Sequence, residues 1–393
     1  MSYRIFLLVV SATLGLCASR ADVAGPALSS LPQRVLELTP SAGNPRNSEG
    51  DFAVLKDGRI LYVYSHYYKG NGGDHDPAKL CSRVSSDGGK TWSKESVEEV
   101  SNEGGLNVMS VSFLRLKDGS LALFYLRKNS MGDNRPLMRV SRDEGKTWSA
   151  SKACVPDSDI GYYVLNNCRA ERLASGRIVL PLCYHESKNG RLTDWAGKIV
   201  CYYSDDEGAT WVRSKMCSST FDENGKRVVT QEPGVVQLKD GRVLIYARTG
   251  YGRQWFFYSN DGCNTWTRGE PGSLWGPCSP ATLKRLSNGD LVAVWNDHEC
   301  AQELRAQDRG WGLRVPLTVA ISKDEGKTWI HRHTLEGNRK GWYCYFAVCE
   351  DRGNLLLGYC AMSGLAHSRI TTVPVSWLYQ PDAPGKQDGF FKD

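Results

Sequence analysis

The chain has 393 residues, a net charge of +6, and 12 Trp, 18 Tyr and 40 Gly. Its charge is scattered, which argues against nucleic-acid binding through a clustered basic face. Beyond residue 20 no long stretch has helical apolar periodicity, no Pro/Ser-rich linker divides the chain, and no Cys-x-x-Cys or paired-His spacing points to a metal.

In chain order, Arg4 comes first, followed by an apolar run from Ile5 to Leu16 and small residues leading to Ala21. Residues 1–21 read as a secretory signal peptide, too short for a membrane span. Residues 22–393 are then one mature domain, secreted or periplasmic. Cys17 follows Leu16, and so large a residue at that place argues against a lipoprotein anchor. Removing the segment leaves 12 of the 13 cysteines, an even number compatible with disulfides. Cys183, Cys201, Cys349 and Cys360 sit inside apolar strand patterns and read as small core residues.

Two repeats then interleave. Apolar runs break at tight turns carrying Gly58, Gly119, Gly176, Gly241, Gly289 and Gly353, and resume beyond them. Gly tolerates the positive φ that such turns need, so each break predicts a hairpin. A Ser-x-Asp-x-Gly-x-Thr-Trp signature follows all but the last, ending at Trp92, Trp148, Trp211, Trp266 and Trp329, the fourth copy reading SNDGCNTW. Recurrence at near-constant period means one repeated supersecondary unit. The prediction is an all-β protein, a six-bladed β-propeller, its ring closed by an N-terminal strand at Val35 to Leu38.

Strand direction sorts residues by face. The Gly turns and the signatures share one end, where the signature Asp residues have structural work in turn backbones. The opposite end collects a charged set: Arg46, Asp74, Asp76, Glu232, Arg248, Arg314, Tyr343 and Tyr345. Asn107, Arg127, Asn166, Asn167, Arg169, His185 and His298 are expected to shape the same pocket.

These segments resemble the sialidases (neuraminidases) that carry Asp-box repeats. TQEPGVVQLKDGRVLIYARTGYGR is similar to the family segment in which a Glu opens one strand and an Arg closes the next. RVPLTVAISKDEGKTW resembles the segment where the last substrate-binding Arg leads into an Asp-box, and YCYFAVCEDRGNLLLGY the segment opening with a nucleophilic Tyr. The family usually has Arg-Ile-Pro where the first blade begins. Here NPRNSEGDFAVLKDG places Arg46 about two residues early, with Glu49 and Asp51 as unusual neighbours. Cys360 stands where an acidic residue often follows Tyr359.

The resemblance implies an exo-α-sialidase. Arg46, Arg248 and Arg314 would hold the substrate carboxylate by bidentate bonds. A neutral Tyr avoids the repulsion that a carboxylate nucleophile would meet; Tyr343 keeps the family spacing and is preferred to Tyr345. Glu232 would activate it, and Asp74, favoured over Asp76, would act as general acid. Retention through a glycosyl-tyrosine is expected, without cofactor or metal. The expected partners are sialylated or other acidic glycans, with no nucleic acid and a monomeric state. Two other readings stay open: an enzyme acting on another acidic sugar, and a carbohydrate-binding propeller without catalysis.

Overall fold

The computed structural model describes residues 30–302, 304, 312–361, 366–381 and 389–392. The expected signal peptide lies outside the described residues. The described chain is nearly all β.

Each predicted hairpin forms. In the first unit the strands Arg46–Val54, Ile60–Tyr67, Ala78–Ser85 and Val97–Val100 pair antiparallel in sequence order. Two later units repeat this order, beginning at Thr230–Gln237 and Thr282–Arg285. The stretch between Asn107–Arg115 and Val212–Ser218 forms one nine-stranded sheet. A single parallel pairing, Tyr162 with Asn134, joins its two halves. On either side of that pairing the strands follow one another antiparallel, as in the other units. The last unit takes Cys344–Asp351, Asn354–Ala361 and His367–Pro374 from the end of the chain, and Gln33–Leu38 pairs with His367–Pro374 as its outer strand. The closing strand is therefore where the sequence placed it.

Buried clusters lie between neighbouring units. Leu61 and Val63 meet Leu123 and Tyr125 between the first and second; Val294 and Val319 meet Phe346 and Leu357 between the fifth and last. Phe52, Ile60 and Tyr62 meet Leu356 and Ile370, so first and last units share a core and the ring closes. The inner strands are apolar on both faces because neighbouring units cover both, whereas outer strands such as Val97–Val100 and Val212–Ser218 carry exposed residues.

The signatures are turn clasps. In the first, Asp87 Oδ1 accepts the Thr91 N–H and Oδ2 the Thr91 hydroxyl, while Ser85 Oγ accepts the Gly89 N–H. The same bonds recur at Asp143, Asp206, Asp261 and Asp324. The fifth signature position needs a left-handed backbone, met by glycine at Gly89, Gly145, Gly208 and Gly326. The fourth copy has Cys263 there, at φ 67°. A second device locks neighbouring units together. Glu144 pairs with Arg115 in its own unit and accepts the Lys56 N–H from the preceding turn; Glu207 and Glu325 do the same with Arg172 and Lys117, and with Arg285 and Lys239.

Cys183, Cys201 and Cys360 are buried and Cys349 half-buried, in keeping with core roles. Among the described residues no helix is long and apolar enough to cross a membrane.

Candidate active site

The site is built from bulges. The first strands of four units each carry a register shift with one residue in the left-handed region: Glu49 (φ 52°), Ser110 (φ 59°), Glu232 (φ 47°) and Tyr345 (φ 59°). Such a backbone costs non-glycine residues on the order of 1 kcal/mol and persists where surroundings impose it, often at functional sites. All four line one cavity of about 120 Å³. Asp74, Lys128, Tyr162, Asn166, His185, Trp195, Gln231 and Arg248 complete most of its wall. Trp195 and the side chain of Asp74 are each about 60% exposed, so the cavity opens to solvent there. A larger groove of about 680 Å³ lies at the signature end, but its acids are committed: Asp118 to Ser120, and Glu207 to Arg172.

Tyr345 and Tyr343 are separated by the bulge. Tyr345 lines the cavity, and the ring lies 5.4 Å from the Arg314 guanidinium. Tyr343 is fully buried in the core between the fifth and last units, against Tyr359. The sequence preference for Tyr343 thus falls on a core residue, and Tyr345, its alternative, is the tyrosine at the cavity. A regular strand would put residues two apart on one face, but the extra residue of the bulge turns Tyr345 inward alone. Burial, then the charge of Glu232, raise the Tyr345 phenol far above its ordinary value of about 10, against the pull of Arg314 and Arg248. The hydroxyl is neutral near pH 7.

Glu232 pairs with Arg248 (Oε2 to Nη1, 3.1 Å), and Arg248 Nη2 donates to Gln231 Oε1 at 2.6 Å. Arg248 Nε has no protein hydrogen-bond partner, nor do Nε and Nη1 of Arg314, although all three atoms are buried. Buried donors without acceptors are costly, and an anionic ligand would satisfy them. Arg314 is beside Tyr345 and 5.0 Å from the Trp342 ring, next to the residues that line the cavity.

Arg46 reaches the site from the start of its strand. Its Nη1 donates to Asp74 Oδ1 at 2.6 Å and to the Gly72 carbonyl, its Nη2 to Glu49 at 3.3 Å, and its Nε to Ser48. It is more committed to protein groups than the other two arginines. Burial pushes the Asp74 carboxyl up, but Arg46, Lys128 and His75 outweigh this and hold it below the usual aspartate value. Asp76 does not line the cavity. Its Oδ2 accepts the N–H groups of Asn71 and Gly73 and shapes the glycine-rich loop.

The expected pocket-shaping residues divide. Asn166 and His185 line the cavity. Asn107 holds the acid loop from behind, donating to the carbonyls of Asp74 and Asp76. Asn167 Nδ2 bridges the carbonyls of Gly50 and Tyr345 at 2.8 and 3.0 Å. Arg169 binds Thr282 and Ala281 in the core, and His298 meets the carbonyls of Leu313 and Val315. Arg127 is off the cavity wall, and its neighbour Lys128 is on it. Lys128 Nζ donates to the Asp74 carbonyl at 2.7 Å, and burial pulls its amine down to about 8. The expectation missed Lys128, Trp195 and Gln231; strand alternation alone, extended by one residue, would have exchanged Arg127 for Lys128.

Fold and cavity together define a β-propeller of the sialidase class. Residues 98–359 match the model of the BNR repeat-like domain, and residues 83–94 that of the BNR/Asp-box repeat. The chain belongs to the BNR-repeat sialidase family. A sialidase of Bacteroides fragilis is 25% identical over 349 residues, covering 80% of this chain and 60% of the relative. Among solved structures, the Hadza microbial sialidase Hz136 superposes with a TM-score of 0.67 at 18% identity, over 85% of this chain and 66% of that one. Trypanosoma rangeli sialidase, captured as a covalent intermediate with 2,3-difluorosialic acid, gives a TM-score of 0.66 at 16% identity, over 88% and 59%. The chain thus spans about 60% of the length of the Bacteroides relative it matches.

Proposed function

We propose that the protein is an exported, retaining exo-α-sialidase that removes terminal sialic acids from glycoconjugates. The observation that carries this reading is one cavity lined by Tyr345, Glu232, Arg248 and Asp74, with the open donors of Arg314 beside Tyr345. The sialidase relatives and structural neighbours support it. A sialic acid carries its carboxylate on the anomeric carbon. Arg248 and Arg314 bind that carboxylate through their unpartnered N–H groups, and Arg46 supports the site from the Asp74 side. Tyr345 is the nucleophile. Glu232 takes its proton as the phenolic oxygen attacks the anomeric carbon. Asp74, which Arg46 holds ionised at rest, first takes up a proton from solvent as the sugar displaces water, and then passes it to the departing glycosidic oxygen. In the second half Asp74 takes a proton from water, water attacks the same carbon, and Tyr345 leaves with its proton restored from Glu232. Two displacements at one carbon give net retention. The signal-peptide reading of residues 1–21 supports export.

Hydrolysis of a fluorogenic sialic acid α-glycoside tests this reading. The wild type releases the fluorophore, Tyr345→Phe loses that activity, and the first sugar product is the α anomer by NMR. A folded wild-type protein that hydrolyses no sialoside would sink it. The internal commitments of Arg46 also favour a second reading, an enzyme for another 2-keto acid sugar; a panel of such glycosides in the same assay separates the two.

A further inference from the structure

Glu49 has no part in that mechanism, although it shares the bulge geometry of Glu232 and Tyr345 and lines the same cavity. It is 5% exposed. Its Oε2 accepts from Ser48 Oγ at 3.0 Å and from Arg46 Nη2 at 3.3 Å; among the described residues Oε1 has no protein hydrogen-bond partner. Arg46 therefore serves two carboxylates, and Asp74 holds it more closely, at 2.6 Å. Two carboxylates that share one cation do not ionise equally, and the less well held one keeps its proton to higher pH. That one is Glu49. The other groups acting around it are Tyr67, Lys128, Tyr162, Glu232, Tyr345, Cys344 and Cys360.

An incoming sugar carboxylate adds a negative charge to a cavity that already holds Glu49, Asp74 and Glu232. If Glu49 were ionised, the two carboxylates would repel in a setting shielded from water. A protonated Glu49 removes that repulsion and offers an O–H donor instead.

We propose that Glu49 is a specificity residue that receives the anionic sugar as a carboxylic acid, taking up one proton from solvent when substrate binds to the ionised enzyme. This rests on the reading of the cavity as a site for an anionic sugar. Burial first, and then the charges of Asp74 and Glu232, raise the Glu49 carboxyl to about 7 against the pull of Arg46 and Ser48. The transition therefore falls within the working range of an enzyme at neutral pH. Below it the site is ready for an anion; above it, binding carries the added demand of one proton.

The test is the pH dependence of KM and kcat on a fluorogenic α-sialoside between pH 5 and 9, for wild type, Glu49→Gln and Ser48→Ala. In the wild type KM should rise toward tenfold per pH unit above about 7, with kcat showing no matching change. Glu49→Gln should abolish that rise. Ser48→Ala removes a hydrogen bond to the ionised form and should move the rise to higher pH, which keeps the test open if Glu49→Gln fails to fold. An unchanged KM profile in Glu49→Gln, or an unmoved inflection in Ser48→Ala, overturns the role of Glu49. A wild type that hydrolyses no sialoside overturns the reading of the site itself, and this inference with it.

Discussion

Asn167 fastens the bulge of Tyr345 to the first unit, and its removal has a calculable effect. Its amide group donates to the carbonyls of Gly50 and Tyr345 while the side chain is 1% exposed. Asn167→Ala leaves both acceptors without that donor in a buried setting. Each orphaned group costs about 1–2 kcal/mol, so unfolding free energy should fall by about 2–4 kcal/mol. Tyr345 is held at φ 59°, and without its tie the backbone can relax toward ordinary values. Displacements on the order of 1 Å cost reactions up to ~100-fold, so kcat should fall at least ~10-fold while KM changes less. Urea unfolding followed by Trp fluorescence reads the first effect, and sialoside hydrolysis the second. An Asn167→Ala protein within about 0.5 kcal/mol of wild type, with unchanged kcat, would refute the reasoning.

Other expectations follow from the same geometry. Asp74→Asn should lower kcat by about 100-fold or more, whereas Asp76→Ala, which only loosens the loop, should lower it by less than ~10-fold; equal losses would reverse the assignment. Arg314→Ala should raise KM by about 10- to 100-fold through loss of charge-assisted bonds, measured by steady-state kinetics. Asp143→Ala should lower the melting temperature and leave kcat intact, because Asp143 only clasps its turn. Asp51 is buried and accepts the N–H groups of Phe52 and Phe113; burial first raises its carboxyl to about 6, above the free value. Folding thus favours its protonated form. Its stabilising contribution is complete below about pH 4 and is lost as pH rises through about 6. Asp51→Asn should remove this component, so the difference in melting temperature between pH 4 and 7.5 should change in that sense.

The repeats made the fold readable. Each Asp-box and each Gly turn is a local hydrogen-bonded unit, so its pattern survives in the sequence without knowledge of its neighbours. Glu232 and Arg248 were legible for a similar reason, since they sit at matched ends of one hairpin, where Gln231 pairs with Arg248. Tyr345 was not. Glu49, Ser110 and Glu232 each stand nine residues before their turn glycines, but Tyr345 stands eight before Gly353. The last hairpin is shorter, with Asp351 paired directly to Asn354 across Arg352 and Gly353, both at positive φ. Counting from the glycine therefore misses the bulge by one residue. The placement of Arg46 depends on a long side chain folding back over its own strand to Ser48 and Glu49, which spacing does not encode.

The central claim is that Tyr345 attacks the anomeric carbon. 2,3-Difluorosialic acid, the ligand of the covalent Trypanosoma rangeli complex, gives the most direct measurement. The protein is incubated with it, digested, and the labelled peptide sequenced by mass spectrometry. The account predicts one sugar adduct on Tyr345. An adduct on Tyr343 or on a carboxylate, or an active enzyme that forms no adduct, would contradict it.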